Sequence, residues 1–250
     1  MKPIVVIPAR MNSSRLPGKP LADIHGEPMI RHVLRRGLEA DVGPVLVAAG
    51  DPEIANALAL AGGNVVLTDP NLASGSDRSH AALSSFDLDG NYDVIVNLQG
   101  DMPTISPSLL RKAISVLDDP QIDIVTLATP ISDPAEAERT AVVKVAMEPA
   151  AENSSIGRAI YFSRWPIPYG ARNLLHHIGL YVYRRNALDK FVAAQPSQLE
   201  RLEKLEQLRA LVLGLIIGVA VVDTHPLGVD TPEDLDEARR LLAPSAGAIS

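Results

Sequence analysis

The chain has no cysteine, which excludes a disulfide framework and a thiolate metal site and fits a reducing compartment. Aromatic residues are scarce, with one Trp, five Tyr and three Phe, so Val, Leu, Ile and Ala must fill the core. Val-rich runs of that kind suit strands covered by helices on both faces. Long hydrophobic runs are missing as well. The longest, Ala210–Val222, is broken by Gly214 and Gly218 and falls short of the roughly 20 residues that a bilayer-spanning helix needs. The start, Met1-Lys2-Pro3 leading into Ile4-Val5-Val6-Ile7, is too short for a signal-peptide core. A cytoplasmic protein with no membrane span is expected. An excess of positive charge is also absent, and the net charge of −7 disfavours nucleic acid as a partner. Cations nevertheless gather near the start, at Arg10, Arg15, Lys19, Arg31, Arg35 and Arg36.

What is there is a regular alternation. Apolar runs predict strands at Ile4–Pro8, Val45–Ala49, Asn64–Leu67, Val94–Leu98 and Ile122–Ala128, with helices at Pro28–Glu39, Pro52–Leu60, Asp77–Ser85 and Pro107–Leu117 between them. This pattern predicts an α/β fold with a doubly wound, mostly parallel sheet. After about residue 130 the rhythm changes. Val142–Met147, Arg158–Ser163 and His177–Tyr183 follow one another with loop-like connections at Pro149–Ser155 and Trp165–Arg172, which predicts a small antiparallel sub-lobe at about 140–185 lying over the sheet. Ser197 and Glu200 stand at capping-box spacing and open a helix running to about Leu213. Leucines at 199, 202, 205, 208 and 211 form its expected core stripe. Thr231-Pro232-Glu233-Asp234 opens a last helix, and the tail Ala243–Ser250 is expected to fray. The 250 residues are read as a single domain.

Six segments carry chemistry. Ile7 to Leu21 is a first strand ending in a long loop with Arg10, Arg15, Lys19, Ser13, Ser14 and Gly18. Ligands of open parallel sheets bind beyond the carboxyl ends of the strands, where cations and backbone N–H groups can hold a triphosphate. The segment matches neither G-x-x-x-x-G-K-[ST] nor G-x-G-x-x-G. A merely solvated basic loop is the plain alternative. Ser74-Gly75-Ser76-Asp77-Arg78 is a flexible turn feeding a helix, readable as an N-cap alone. The strand Val94–Leu98 finishes in Gln99-Gly100-Asp101, where a carboxylate could hold a cation or simply close a turn. His177-Ile178-Gly179-Leu180-Tyr181-Val182-Tyr183 puts His177 and Tyr181 on one strand face. Glu206 and Gln207 are adjacent on a helix, by default solvated. Asp230 stands just outside the last helix's cap and is not explained by it.

Taken in order, Arg10–Leu21, Ser74–Arg78, Gln99-Gly100-Asp101, His177-x-Gly179-x-Tyr181, Leu205-Glu206-Gln207-Leu208-Arg209 and Asp230 resemble the Kdo (3-deoxy-manno-octulosonate) cytidylyltransferases over residues 3 to 242. The resemblance implies a nucleotide-diphospho-sugar transferase-like fold. It assigns Ala9, Arg10, Arg15, Lys19, Ser74 and Arg78 to the nucleotide, with Arg10, Arg15 and Lys19 catalytic. Gln99, Arg164, His177, Tyr181, Glu206 and Gln207 fall to the sugar, and Asp101 and Asp230 to Mg²⁺. Met102 departs from the family's Gln-Gly-Asp-Glu-Pro, standing where Glu is usual. The implied reaction transfers CMP from CTP to the anomeric hydroxyl of Kdo, in a homodimer meeting through strands near 158–184. Two alternatives stay open here: another 2-keto sugar acid, such as 8-amino-Kdo or a sialic-type acid, and a catalytically silent nucleotide-binding paralogue.

Overall fold

The computed structural model describes residues 1–59 and 61–243. In chain order its elements are β1 (Pro3–Ala9), β2 (Asp23–Ile24), β3 (Glu27–Pro28), α1 (Met29–Glu39), β4 (Val45–Ala49), α2 (Pro52–Leu58), β5 (Asn64–Leu67), α3 (Gly75–Phe86), β6 (Val94–Asn97) and α4 (Pro107–Val116). They continue with β7 (Ile124–Pro130), α5 (Pro134–Glu138), β8 (Lys144–Pro149), β9 (Ile156–Ser163), β10 (Leu175–Arg184), α6 (Arg185–Ala193), α7 (Gln198–Glu203), α8 (Gln207–Val212), β11 (Ile217–Val221) and α9 (Pro232–Leu241). The expected helix end at Leu60 and the tail beyond residue 243 lie outside the described residues.

The chain divides into two compact units. The first comprises Lys2–Asn91, Asn97–Leu109 and the residues from Pro226 onward. Its strands run β5-β4-β1, all parallel, with Val5 opposite Val45 and Leu46 opposite Asn64. Ile4 to Ile7 and Leu46 to Ala49 are fully buried, as expected for strands with both faces covered. Helix α1 buries Met29, Ile30, Val33, Leu34 and Gly37, the stripe that a 3.6-residue period produces. A small apolar cluster of Ile24, Met29, Val229, Leu235 and Ala238 fixes the start of α9, and Asp230 follows directly on Val229.

The second unit holds Tyr92–Val96 and Leu110–His225, together with Met1. Its strand order is β6-β10-β7-β11-β9-β8. Strands β11 and β7 pair in parallel, whereas β10–β7, β11–β9 and β8–β9 are antiparallel. The sheet is therefore mixed rather than mostly parallel. The reason is connection length: β8 and β9 are joined by a short loop, and a parallel crossover needs a dozen residues or more. The register of β10 against β7 shifts between Ile178 and Tyr181, a bulge that bends the strand. The amino-terminal end of β10 then pairs with β8, His176 opposite Lys144, so β10-β7-β11-β9-β8 close a ring. Lys144 is fully buried at this closure, its Nζ donating to the carbonyls of Val142 at 2.8 Å and Arg139 at 3.1 Å.

Two expectations fail in the second unit. The helix expected to run to Leu213 breaks at Lys204, which adopts φ 55° and ψ 46°, and α8 starts afresh at Gln207. The leucine stripe breaks with it: Leu199 and Leu202 are exposed while Leu205 and Leu208 are buried. Helix α6 and strand β11 were not anticipated, the latter lying inside the run Ala210–Val222.

Phe162 is completely buried on β9 and meets the His177 ring edge-on at 5.2 Å. Phe162→Ala is expected to lower unfolding free energy by about 3–5 kcal/mol in urea titration, the usual cost of emptying an aromatic core site. A loss well under 1 kcal/mol would show that the ring is not a core element.

Candidate active site

The site is built where three chain segments reach the carboxyl end of β1. The loop after β1 is closed by Gly18 N–H donating to Met11 O at 3.1 Å, with Gly18 in the left-handed region at φ 71°. Met11 N–H donates to Asp51 Oδ2 at 2.8 Å, anchoring the loop to the residues after β4. Leu98 N–H donates to Val6 O at 2.9 Å and so carries Gln99-Gly100-Asp101 to the same place. At Gly100 a Cβ would lie 2.7 Å from Pro8 O, so only glycine permits this approach. The third segment arrives through Val229 N–H, which donates to Asp101 O at 2.8 Å.

These segments put one cation between two acids. Lys19 Nζ lies 2.8 Å from Asp101 Oδ2 and 3.0 Å from Asp230 Oδ1, and Arg15 Nη2 lies 2.9 Å from the other oxygen of Asp230. Burial alone would lower the Lys19 pKa. The attraction and hydrogen bonds of Asp101 and then Asp230 outweigh it and hold the ammonium above its ordinary 10.5. Asp230 is free for this because the cap of α9 uses Thr231 and Asp234: Asp234 N–H donates to Thr231 Oγ1 at 3.2 Å, and Asp234 Oδ2 accepts from the Thr231 and Asp230 N–H groups.

A cleft of about 440 Å³ surrounds the trio, lined by Ala9, Arg10, Arg15, Lys19, Ser74, Arg78, Gln99, Asp101 and Asp230 among others. All of these belong to the first unit. Every residue that the resemblance assigns to nucleotide or metal is thus in one cleft. Two of them have structural partners too. Ser74 caps α3, accepting Asp77 N–H at 3.2 Å and donating to Asp77 Oδ2 at 2.8 Å. Arg78 is buried, and its guanidinium donates to Thr68 Oγ1 at 2.6 Å, Asp69 O at 3.0 Å and Pro70 O at 3.1 Å. It braces the loop that carries Leu72 into the cleft. Asp51 and Leu72 were not singled out in the sequence. Asp51 lies just beyond β4, so the rule that drew attention to the carboxyl end of β1 would have found it. Met102 is buried and is not among the lining residues, so its departure from the usual Glu places an apolar side chain in the interior.

The remaining residues lie in the second unit. The His177 and Tyr181 rings are 5.5 Å apart, and Glu206 is near enough to Tyr181 to contribute, after burial and Tyr183, to raising the phenol's pKa. Gln207 is buried on α8, which corrects the solvated-face reading. Arg164 donates from Nε to Glu203 O at 2.9 Å, from Nη1 to Thr140 O at 2.9 Å and from Nη2 to Lys204 O at 3.3 Å. His176 bonds Glu136 at 2.7 Å and stacks on His225.

His177 Nε2 is 3.0 Å from Thr126 Oγ1. The single hydroxyl hydrogen of Thr126 goes to the carbonyls of Ile178 and Leu180, so the ring donates from Nε2 and leaves Nδ1 as an acceptor. Burial, and then the neighbouring His176, pushes the imidazole down to about 3. An unfolded histidine takes up its proton near 6.5, so His177 makes stability fall as pH drops from about 6.5 toward 3. Its ring NMR signals are expected to stay fixed between pH 8 and pH 5. Titration with a midpoint near 6.5 would contradict the buried, neutral assignment.

The family model described as "Cytidylyltransferase" matches residues 4–217. A 3-deoxy-manno-octulosonate cytidylyltransferase of Rhodospirillum centenum is 56% identical, covering 98% of this chain and 95% of that relative. The enzyme of the same name from Rhodospirillum rubrum is 57% identical, covering 96% and 95%. Among solved structures, a CMP:2-keto-3-deoxy-manno-octonic acid synthetase complexed with CTP superposes with a TM-score of 0.88 at 38% identity, over 97% of this chain and 99% of that one. The fold is thus the mixed α/β nucleotide-sugar transferase-like fold, and identity this high over nearly the full length means that the chain belongs to the 3-deoxy-manno-octulosonate cytidylyltransferase family.

Proposed function

We propose that this chain transfers CMP from CTP to the anomeric hydroxyl of Kdo, releasing pyrophosphate and yielding CMP-Kdo for lipopolysaccharide biosynthesis. The observation that carries the chemistry is the convergence of Lys19 and Arg15 on Asp101 and Asp230 at the end of β1. The sugar hydroxyl gives up its proton to solvent water as its oxygen bonds to the α-phosphorus, the bridge to the β-phosphate breaks, and the bonding pair leaves with the pyrophosphate. Arg10, Arg15 and Lys19 meet that charge in a cleft already shaped for it. The raised pKa of Lys19 keeps it an ammonium at neutral pH. Ala9, Ser74 and Arg78 form the nucleotide wall. Gln99 in the first unit, and Arg164, His177, Tyr181, Glu206 and Gln207 in the second, are read as sugar-side residues on the strength of the resemblance, with the antiparallel strands of about 140–185 as a sub-lobe of one nucleotidyltransferase domain.

The donor set also fits a divalent cation. One oxygen from each acid lies within 3.0 Å of a single nitrogen, Lys19 Nζ, so both carboxylates face one point. Among the described residues no cluster of three or more His, Asp or Glu forms a metal site. Two carboxylates completed by substrate phosphates and water are what Mg²⁺ accepts. Mg²⁺ held by Asp101 and Asp230 would neutralise triphosphate charge and acidify the attacking hydroxyl. The same reading makes the protein a cytoplasmic homodimer, supported by the exposed apolar side chains of Ile160, Trp165 and Tyr169 within the span 158–184.

Pyrophosphate release tests this directly, with Mg²⁺, CTP or UTP, and Kdo, 8-amino-Kdo or a sialic acid. CTP with Kdo is expected to be preferred. Asp101→Asn and Asp230→Asn should each lose most turnover while melting like the parent protein. Near-parental rates for Asp230→Asn at saturating Mg²⁺ would reduce that residue to a helix neighbour.

A further inference from the structure

The sugar-side reading places Glu206 and Gln207 at the start of α8, and their aim depends on the break that separates α7 from α8. That break is at Lys204, a residue with a Cβ in the left-handed region. Such a conformation is uncommon without glycine and persists where the surroundings over-determine it. Two arginines supply that restraint from different directions. Arg164, just past the end of β9, donates to the carbonyls of Glu203 and Lys204, and its own N–H donates to Glu203 Oε2 at 3.2 Å. Ser163 Oγ donates to the other oxygen of Glu203 at 3.2 Å. Arg209, on α8 itself, grips the first turn of α7. Its Nε lies 2.9 Å from Glu200 Oε2 and its Nη2 lies 2.6 Å from Glu200 Oε1, a bidentate pair in which both side chains are largely buried. Nη1 reaches the carbonyls of Phe191 and Ala194, and the guanidinium lies 4.5 Å over the Phe191 ring.

We propose that Arg164 and Arg209 are positioning residues that clamp the Lys204 break and so set where Glu206 and Gln207 point. This rests on the sugar-side reading of those two residues. It also changes the part played by Arg164. Its Nε, Nη1 and Nη2 each donate to a main-chain carbonyl, which ties three of its five N–H groups to the backbone, and it is through the backbone of 203–207 that it acts on the sugar. A rigid planar fork suits both tasks, and lysine, a single point donor, replaces it incompletely.

Steady-state kinetics on the intact enzyme, with Kdo and CTP varied in turn, distinguishes the cases. Arg209→Met and Arg164→Met should each lower kcat/KM for Kdo on the order of 10- to 100-fold, the range that a small misplacement produces, and leave the KM for CTP unchanged. Arg209→Lys should recover part of the loss. The double variant should lose less than the product of the single losses, since both arginines hold one break. If Arg209→Met proves too unstable to assay, Glu200→Gln carries the same test. Parental Kdo kinetics in a folded Arg209→Met or Glu200→Gln protein overturns the clamp and leaves the sugar-side reading standing. Fully multiplicative losses also overturn it, because Arg164 then acts independently, as a ligand would. If Gln207→Ala leaves the Kdo dependence untouched, the sugar-side reading and the clamp fall together.

Discussion

The ammonium of Lys19 between Asp101 and Asp230 is the interaction on which the active-site account depends. Two carboxylates facing one point repel each other, and in a partly buried cleft that repulsion is only weakly screened. They stay together because a cation stands between them. The three residues come from segments far apart in the chain, and each is delivered by main-chain bonding: the loop after β1 folds on itself, the Gln99–Asp101 turn hangs on β1, and the start of α9 hangs on Asp101. A cation position made this way is preformed before any substrate arrives, which is the condition for stabilising charge that develops during transfer.

Packing supports this arrangement at a distance from the charges. The cluster of Ile24, Met29, Val229, Leu235 and Ala238 fixes the residue before Asp230, so an apolar core positions the backbone of the acid that Lys19 and Arg15 then hold. The buried guanidinium of Arg78 does comparable work for the Thr68–Leu72 loop. In both cases buried neighbours hold the backbone of a segment that lines the cleft, the usual requirement for a site accurate to a fraction of an ångström.

The first unit was largely legible in the sequence. Its strands are short runs of Val and Ile bounded by Pro, Gly or Asp, and its helices bury a 3.6-period stripe. The second unit was less so, because its organising features carry no local signal. The bulge between Ile178 and Tyr181 and the return of β8 onto β10 join residues remote in sequence. The break at Lys204 occurs without the glycine that would announce it, and β11 was hidden inside a long apolar run. The acids and basic loop of the site were found through motif order, since an isolated Asp at a strand end reads equally well as a turn. That Arg164 and Arg78 give their donors to carbonyls could not be read from sequence, because burial and hydrogen-bond direction are tertiary facts.

The central claim is that Asp101 and Asp230 define one cation position, filled in this structure by Lys19. Titration with Mn²⁺ followed by electron paramagnetic resonance, without nucleotide, tests it most directly. The account predicts that Lys19→Met binds Mn²⁺ more tightly than the parent protein, because its competitor is gone, and that Asp230→Asn binds it more weakly. Unchanged Mn²⁺ affinity in both variants would contradict a shared position.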